Sequence, residues 1–204
     1  MKIDQIMRSA PVIPVLVLDG SLDPEALARA LVEAGLPVIE VTLRTPDALV
    51  QMKRMAEVPG AIVGAGTVLN PHHLDAALDH GAQFIVSPGL TDPLAKAAIA
   101  KGVPFLPGVA SAGDIMRGLD HGLDRFKFFP AEAAGGLPAL KALAGPFGDI
   151  RFCPTGGIRE ETAASWLSEE AVLCVGGSWI LPKGDSDLAK IGERARAAAG
   201  LKGE

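Results

Sequence analysis

The 204-residue sequence predicts one α/β domain, residues 1–204, folded as a single (β/α)8 TIM barrel with an extra N-terminal helix. Three observations predict it. Eight apolar, strand-like runs recur along the chain and begin roughly 20 to 26 residues apart, which leaves room for one helix and two short loops between neighbours. The intervening segments open on cap residues and close on glycine, as helices do. The chain is 49% hydrophobic, with a mean hydropathy of +0.30, yet has no apolar run long enough to span a membrane. That balance suits parallel strands that are buried on both faces and so lack polar alternation.

Met1 to Ser9 supplies the leading helix, and VIPVLVL from Val12 the first strand. DPEALARALVEAGL forms the first barrel helix and VIEVTL the second strand. TPDALVQMKRMA follows, then AIVGAGTV, NPHHLDAALDHG, FIVSPG, TDPLAKAAIAKG, PFLPGV taken as one strand, and SAGDIMRGLDHG. RFKFFP, RFCPTGG and VLCVGGSW are the last three strands, and the Ala-rich stretch after Pro182 closes the chain with a helix. An open doubly wound sheet is the alternative, but uniformly short connections fit closure better.

Charge and composition exclude several function classes. The formal charge is −5, with no basic stripe, so nucleic acid and acidic membranes are poor partners. The N-terminus shows no apolar stretch ending in a cleavage site, which points to a cytoplasmic protein. Cys153 and Cys174 each sit in an apolar run and read as packed thiols. His72, His73, His80 and His121 have no partners at ligand spacing, so no metal site is expected.

Strand periodicity places the candidate chemistry. In VIEVTLR, Ile39, Val41 and Leu43 belong under the helices, which turns Glu40, Thr42 and Arg44 inward. In RFKFFP, Phe126 and Phe128 go to the helices, and Lys127 and Phe129 point inward. Val63, Ala65 and Thr67 share one side of AIVGAGTV. Barrel interiors normally fill with branched apolar side chains, so Glu40, Arg44, Thr67 and Lys127 near strand ends stand out. Each also has a structural reading: Glu40 with Arg44 or with Lys127 as an ion pair, Thr67 as packing. CPTGG and VGGSW end the last two strands, where barrels of this kind commonly bind phosphate on backbone N–H groups and a helix N-terminus. Gly156, Gly157, Gly176 and Gly177 permit close backbone approach there, and Ser178 adds a hydroxyl donor.

EVTLRT, VGAGTVLNP, VSPGL, FKFFPAE, FCPTGGI and LCVGGSW together resemble the class I 2-keto-3-deoxy-6-phosphogluconate and 4-hydroxy-2-oxoglutarate aldolase family, over nearly the whole chain from Pro11 to Trp179. The resemblance implies a cytoplasmic, metal-independent homotrimer without cofactor, acting in the Entner–Doudoroff pathway. It implies cleavage of a phosphorylated keto sugar acid to pyruvate and glyceraldehyde 3-phosphate. It assigns the Schiff-base lysine to Lys127 and the general acid/base to Glu40. Arg44 and Thr67 are implied for the pyruvoyl carboxylate, Pro88 and Phe129 for the lining, and Thr155, Gly156, Gly157, Gly177 and Ser178 for the substrate's phosphate end. Ala134 stands where AEANGG is common in the family, a change that touches no residue assigned to chemistry. Two other classes stay open: a phosphate-binding isomerase or epimerase, which needs no imine-forming lysine, and a non-catalytic phosphometabolite-binding barrel.

Overall fold

A computed structural model describes residues 1–201. A short helix α1 (Ile3–Met7) leads into β1 (Val12–Leu16), α2 (Pro24–Glu33), β2 (Val38–Thr42), α3 (Ala48–Ala56) and β3 (Ile62–Gly66). Then come α4 (Pro71–Asp79), β4 (Ile85–Val86), α5 (Asp92–Ala100), β5 (Phe105–Leu106), β6 (Gly108–Val109) and α6 (Ala112–Asp120). The chain continues through β7 (Arg125–Phe128), α7 (Gly136–Ala144), β8 (Arg151–Pro154), α8 (Glu160–Leu167), β9 (Val175–Gly177) and α9 (Leu188–Ala199). Cap chemistry explains several of the starts. Asp23 accepts from Ala26 N–H, Asn70 from His73 N–H, and Ser111 forms a reciprocal capping box with Asp114. Asp47 makes no such bond, and α3 begins only at Ala48.

The closed eight-stranded barrel is corrected. Backbone pairing forms two parallel sheets: a curled six-stranded one, ordered β5-β4-β3-β2-β1-β9, and a three-stranded one, ordered β6-β7-β8. The first cause is Pro107, inside the run PFLPGV that the sequence suggested as a single strand. A proline has no N–H to give a ladder, and the run divides there into β5 and β6. The second lies between β8 and the segment leading into and through β9, where pairing is reduced to the isolated bridges Phe152–Val172 and Thr155–Gly176. The result is an open, curled α/β fold. The leading and closing helices stand where the sequence put them.

Alternation along the strands builds two separate apolar layers. Ile39, Val41, Phe126 and Phe128 face the helices and join the larger core with Leu31, Met52 and Trp166. Ile13, Val38, Phe84, Leu106, Cys153 and Cys174 form a smaller core on the concave side, into which α1 inserts Ile6 and Met7. Arg125, which opens β7, donates to Asp4 of α1 at 2.6 Å and fastens that plug.

Candidate active site

Lys127 of β7 and Glu40 of β2 meet on the concave side, each from a different sheet. The Lys127 Nζ lies 3.0 Å from Glu40 Oε1 and 3.2 Å from Oε2. Their residues are only 5% and 3% exposed, so two opposite charges face one another nearly out of water. Such a pair is weak evidence for stability, because desolvation offsets most of the attraction. Room for it is made by Gly66: a Cβ there would lie 2.2 Å from Glu40 Oε1. The Phe129 ring sits with its centroid 5.4 Å from Nζ and forms an apolar wall beside the amine. Thr42 also faces inward, but its hydroxyl donates to the Leu16 carbonyl at 2.8 Å, which uses its one donor.

Arg44 and Thr67 form a second group at the strand ends. The Arg44 Nε donates to Thr67 Oγ1 at 3.1 Å. The sequence groups Thr67 with Val63 and Ala65 and counts it inside; Val63 and Ala65 instead join the helix-facing core, and the backbone takes Thr67 out of that alternation. Thr67 has φ +60°, a left-handed conformation uncommon for a threonine, reached just after β3 ends at Gly66. Arg44 is exposed, so its guanidinium can offer paired donors to an incoming carboxylate. Pro88 is exposed on the loop after β4.

The turn after β8 is rich in glycine. Gly156 and Gly157 take φ +102° and +83° in succession. Among the described residues, the N–H groups of Gly157 and Ser178 donate to no acceptor, while the N–H of Gly156 faces Gly176 at the isolated Thr155–Gly176 bridge. Free N–H groups in such a turn, here just ahead of α8, are the kind of donors that can hold an anion. Thr155 is buried and points inward, and a Cβ on Gly176 would lie 2.2 Å from its hydroxyl. Gly177 also makes room for its neighbour: a Cβ there would strike the Trp179 ring at 2.4 Å.

A cavity of about 850 Å³ opens beside these groups, with Arg44 and Ser178 in its wall. Lys127 and Glu40 are not in that wall. Its remaining lining comes largely from the loop after β1, including Asp19 and Ser21, and from Leu181 to Asp185. Sequence reasoning passed over both segments. The LDGS turn directly after the first strand was the available signal. Elsewhere, His121 pairs with Asp92 at 3.1 Å and His80 bonds the Ala76 carbonyl at 2.7 Å. Among the described residues no three His, Cys, Asp or Glu side chains cluster at metal-binding range. Contact with Cys153, reinforced by burial, pushes the Cys174 thiol well up from its ordinary range, so it is a poor nucleophile.

A buried amine beside a carboxylate, a guanidinium at the rim and an N–H-rich turn suit a carbonyl compound with two anionic ends. Comparison with known proteins agrees. A family model described as KDPG and KHG aldolase matches residues 3–194. The chain is 58% identical over 200 residues to a 2-dehydro-3-deoxy-phosphogluconate aldolase of Zymomonas mobilis, covering 98% of this chain and 96% of that one. It is 48% identical to the KHG/KDPG aldolase of Escherichia coli, over 97% and 96% of the two chains. The crystal structure of a KDPG aldolase from Legionella pneumophila, with pyruvate captured at low pH as a covalent carbinolamine intermediate, superimposes with a TM-score of 0.94. That chain is 41% identical, with 98% of this chain and 99% of the other covered. By these likenesses the chain belongs to the KDPG and KHG aldolase family.

Proposed function

We propose that this protein is a class I aldolase that cleaves 2-dehydro-3-deoxy-6-phosphogluconate to pyruvate and glyceraldehyde 3-phosphate. The observation that carries the reading is the buried contact between Lys127 and Glu40. An amine attacks a ketone only without its extra proton, and Glu40 at 3.0 Å is placed to receive that proton. The Lys127 nitrogen adds to C2 of the keto acid, and loss of water leaves a cationic imine. Glu40, through a water, then takes the proton of the C4 hydroxyl. The C3–C4 bonding pair flows into the imine to give an enamine, and the aldehyde departs. Glu40 returns a proton to C3, and water hydrolyses the imine to release pyruvate and restore the amine. The imine itself is the electron sink, so the cycle balances without a cofactor.

In this reading Arg44 and Thr67 hold the carboxylate, with Pro88 and Phe129 shaping the pocket. Thr155, Gly156, Gly157, Gly177 and Ser178 serve the phosphate end. Cleavage of 4-hydroxy-2-oxoglutarate to pyruvate and glyoxylate is a second activity of the same site, since that substrate shares the keto-acid end and the matched family includes such aldolases. A cytoplasmic homotrimer in the Entner–Doudoroff pathway is the setting that the family resemblance supports.

The test is to incubate the protein with pyruvate and borohydride, then measure intact mass and map the modified peptide. The expected result is one reduced pyruvyl adduct on Lys127. An isomerase or a non-catalytic binding protein gives no adduct, and an adduct on another lysine moves the chemistry away from this residue.

A further inference from the structure

We propose that Glu132, held by Trp166, is a positioning residue that sets the phosphate-binding turn. The inference rests on the phosphate reading of that turn. Glu132 follows the Lys127 strand, in the segment PAEAAGG, and touches none of the reacting atoms. Its backbone lies alongside the turn: Ala131 N–H donates to the Thr155 carbonyl at 2.8 Å and Glu132 N–H to the Gly156 carbonyl at 3.0 Å. In a planar trans peptide the C=O and N–H point in opposite directions. Tying down the carbonyls of Thr155 and Gly156 therefore aims the N–H groups of Gly156 and Gly157 the other way, the first towards Gly176 at the Thr155–Gly176 bridge and the second unengaged.

The Glu132 side chain continues the same job. Its Cβ and Cγ pack where a Cβ on Gly157 would lie, at 2.8 Å, so the turn and the side chain share one space. Glu132 Oε1 accepts from Trp166 Nε1 at 3.2 Å. Trp166 is only 2% exposed and packs against Phe128, with ring centroids 6.3 Å apart. A rigid ring on α8 thus holds Glu132, and Glu132 holds the turn that precedes α8. The chain keeps an anion near a site for another anion because the carboxylate is used as a hydrogen-bond acceptor, and a neutral acceptor of the same shape serves equally.

The experiment compares Glu132→Ala, Glu132→Gln and Trp166→Phe with the parent protein on the phosphorylated substrate and on 4-hydroxy-2-oxoglutarate, with inorganic phosphate as a competing probe. Losing the hydrogen bond in Glu132→Ala is expected to raise KM for the phosphorylated substrate, and the inhibition constant of phosphate, by about tenfold. The kcat should hold, and both parameters for 4-hydroxy-2-oxoglutarate should stay within about twofold. Trp166→Phe should follow Glu132→Ala, and Glu132→Gln should restore parent values. Equal losses on both substrates, or failure of Glu132→Gln to rescue, overturn the inference. Ser178→Ala is the control. If it is selective for the phosphorylated substrate and Glu132→Ala is not, only the role of Glu132 falls; if neither is selective, the phosphate reading falls with it.

Discussion

The concave side of the curled sheet has two ends built from the same strands on opposite principles. Where the strands begin, Ile6, Met7, Ile13, Val38 and Phe84 close the interior with apolar side chains. Where they finish, Glu40 and Lys127 occupy equivalent inward positions only two or a few residues further along. Val38 and Glu40 are successive inward residues of β2, yet one belongs to a dry core and the other to an ion pair. The apolar end gains free energy from burial, and the polar end gives some up to keep a carboxylate and an amine out of water. Stability and chemistry are thereby separated along the strand axis, and substitutions at each end should be felt in different measurements.

The largest effect should come from the polar end. Glu40→Gln preserves shape and one acceptor oxygen but removes the base, and turnover is expected to fall by roughly 10²–10⁴. Trapping of pyruvate on Lys127 with borohydride should survive in part, since imine formation and C–C cleavage place different demands on Glu40. Near-normal turnover would make Glu40 only a structural partner of Lys127 and dissolve the contrast between the two ends. At the apolar end, Phe84→Ala empties a fully buried site whose ring packs against Gly64. The expected cost is about 3–5 kcal/mol of stability, read as denaturant midpoint, with kcat of the folded protein little changed. A kcat that collapses alongside stability would show that the plug also shapes the site.

Much of this division was legible in the sequence, because period-two alternation assigns faces wherever a strand runs straight. VIEVT and RFKF do, and Glu40 and Lys127 were found that way. Alternation failed where the backbone leaves the strand. Thr67 reaches Arg44 only by a left-handed φ, which the tripeptide AGT does not announce. Closure into eight strands failed for a related reason: PFLPGV looks like one apolar run, but Pro107 cannot donate to a ladder and the pairing divides there. The TGG turn was readable from its glycines. The side chains that fix it, Glu132 and Trp166, were not, because they converge from 34 positions apart.

A smaller effect should sharpen the map of the polar end itself. Ser178→Ala removes one hydroxyl donor from the wall of the cavity. With the phosphorylated sugar acid the loss in kcat/KM should correspond to roughly 1.5–3 kcal/mol, the range for a hydrogen bond to a charged group. With 4-hydroxy-2-oxoglutarate, which carries no phosphate, kcat/KM should be nearly unchanged. An equal loss on both substrates would assign Ser178 to the fold or to the catalytic centre.

The smallest effect lies at the apolar end, in the latch that holds α1 in place. The hydrogen bond from Arg125, helped by that from Arg8, outweighs the partial burial of Asp4 and holds its carboxyl below the ordinary value of 3.8. A carboxylate whose pKa is lower in the folded state binds fewer protons there than in the unfolded chain. Its stabilisation is therefore complete above the ordinary value and is lost as pH falls through the depressed one. Asp4 is a third exposed, so water screens the pair and the expected contribution is about 0.5–1 kcal/mol. Asp4→Asn should lower Tm by roughly 1–4 °C at neutral pH for a chain of this size. As the pH is taken below 3.8 the two proteins should converge, because the parent then carries a neutral group as well. A Tm difference that stays constant across the acid range would mean that the asparagine disturbs the packing of Ile6 and Met7, and that the charge of Asp4 contributes nothing to the closure of this end.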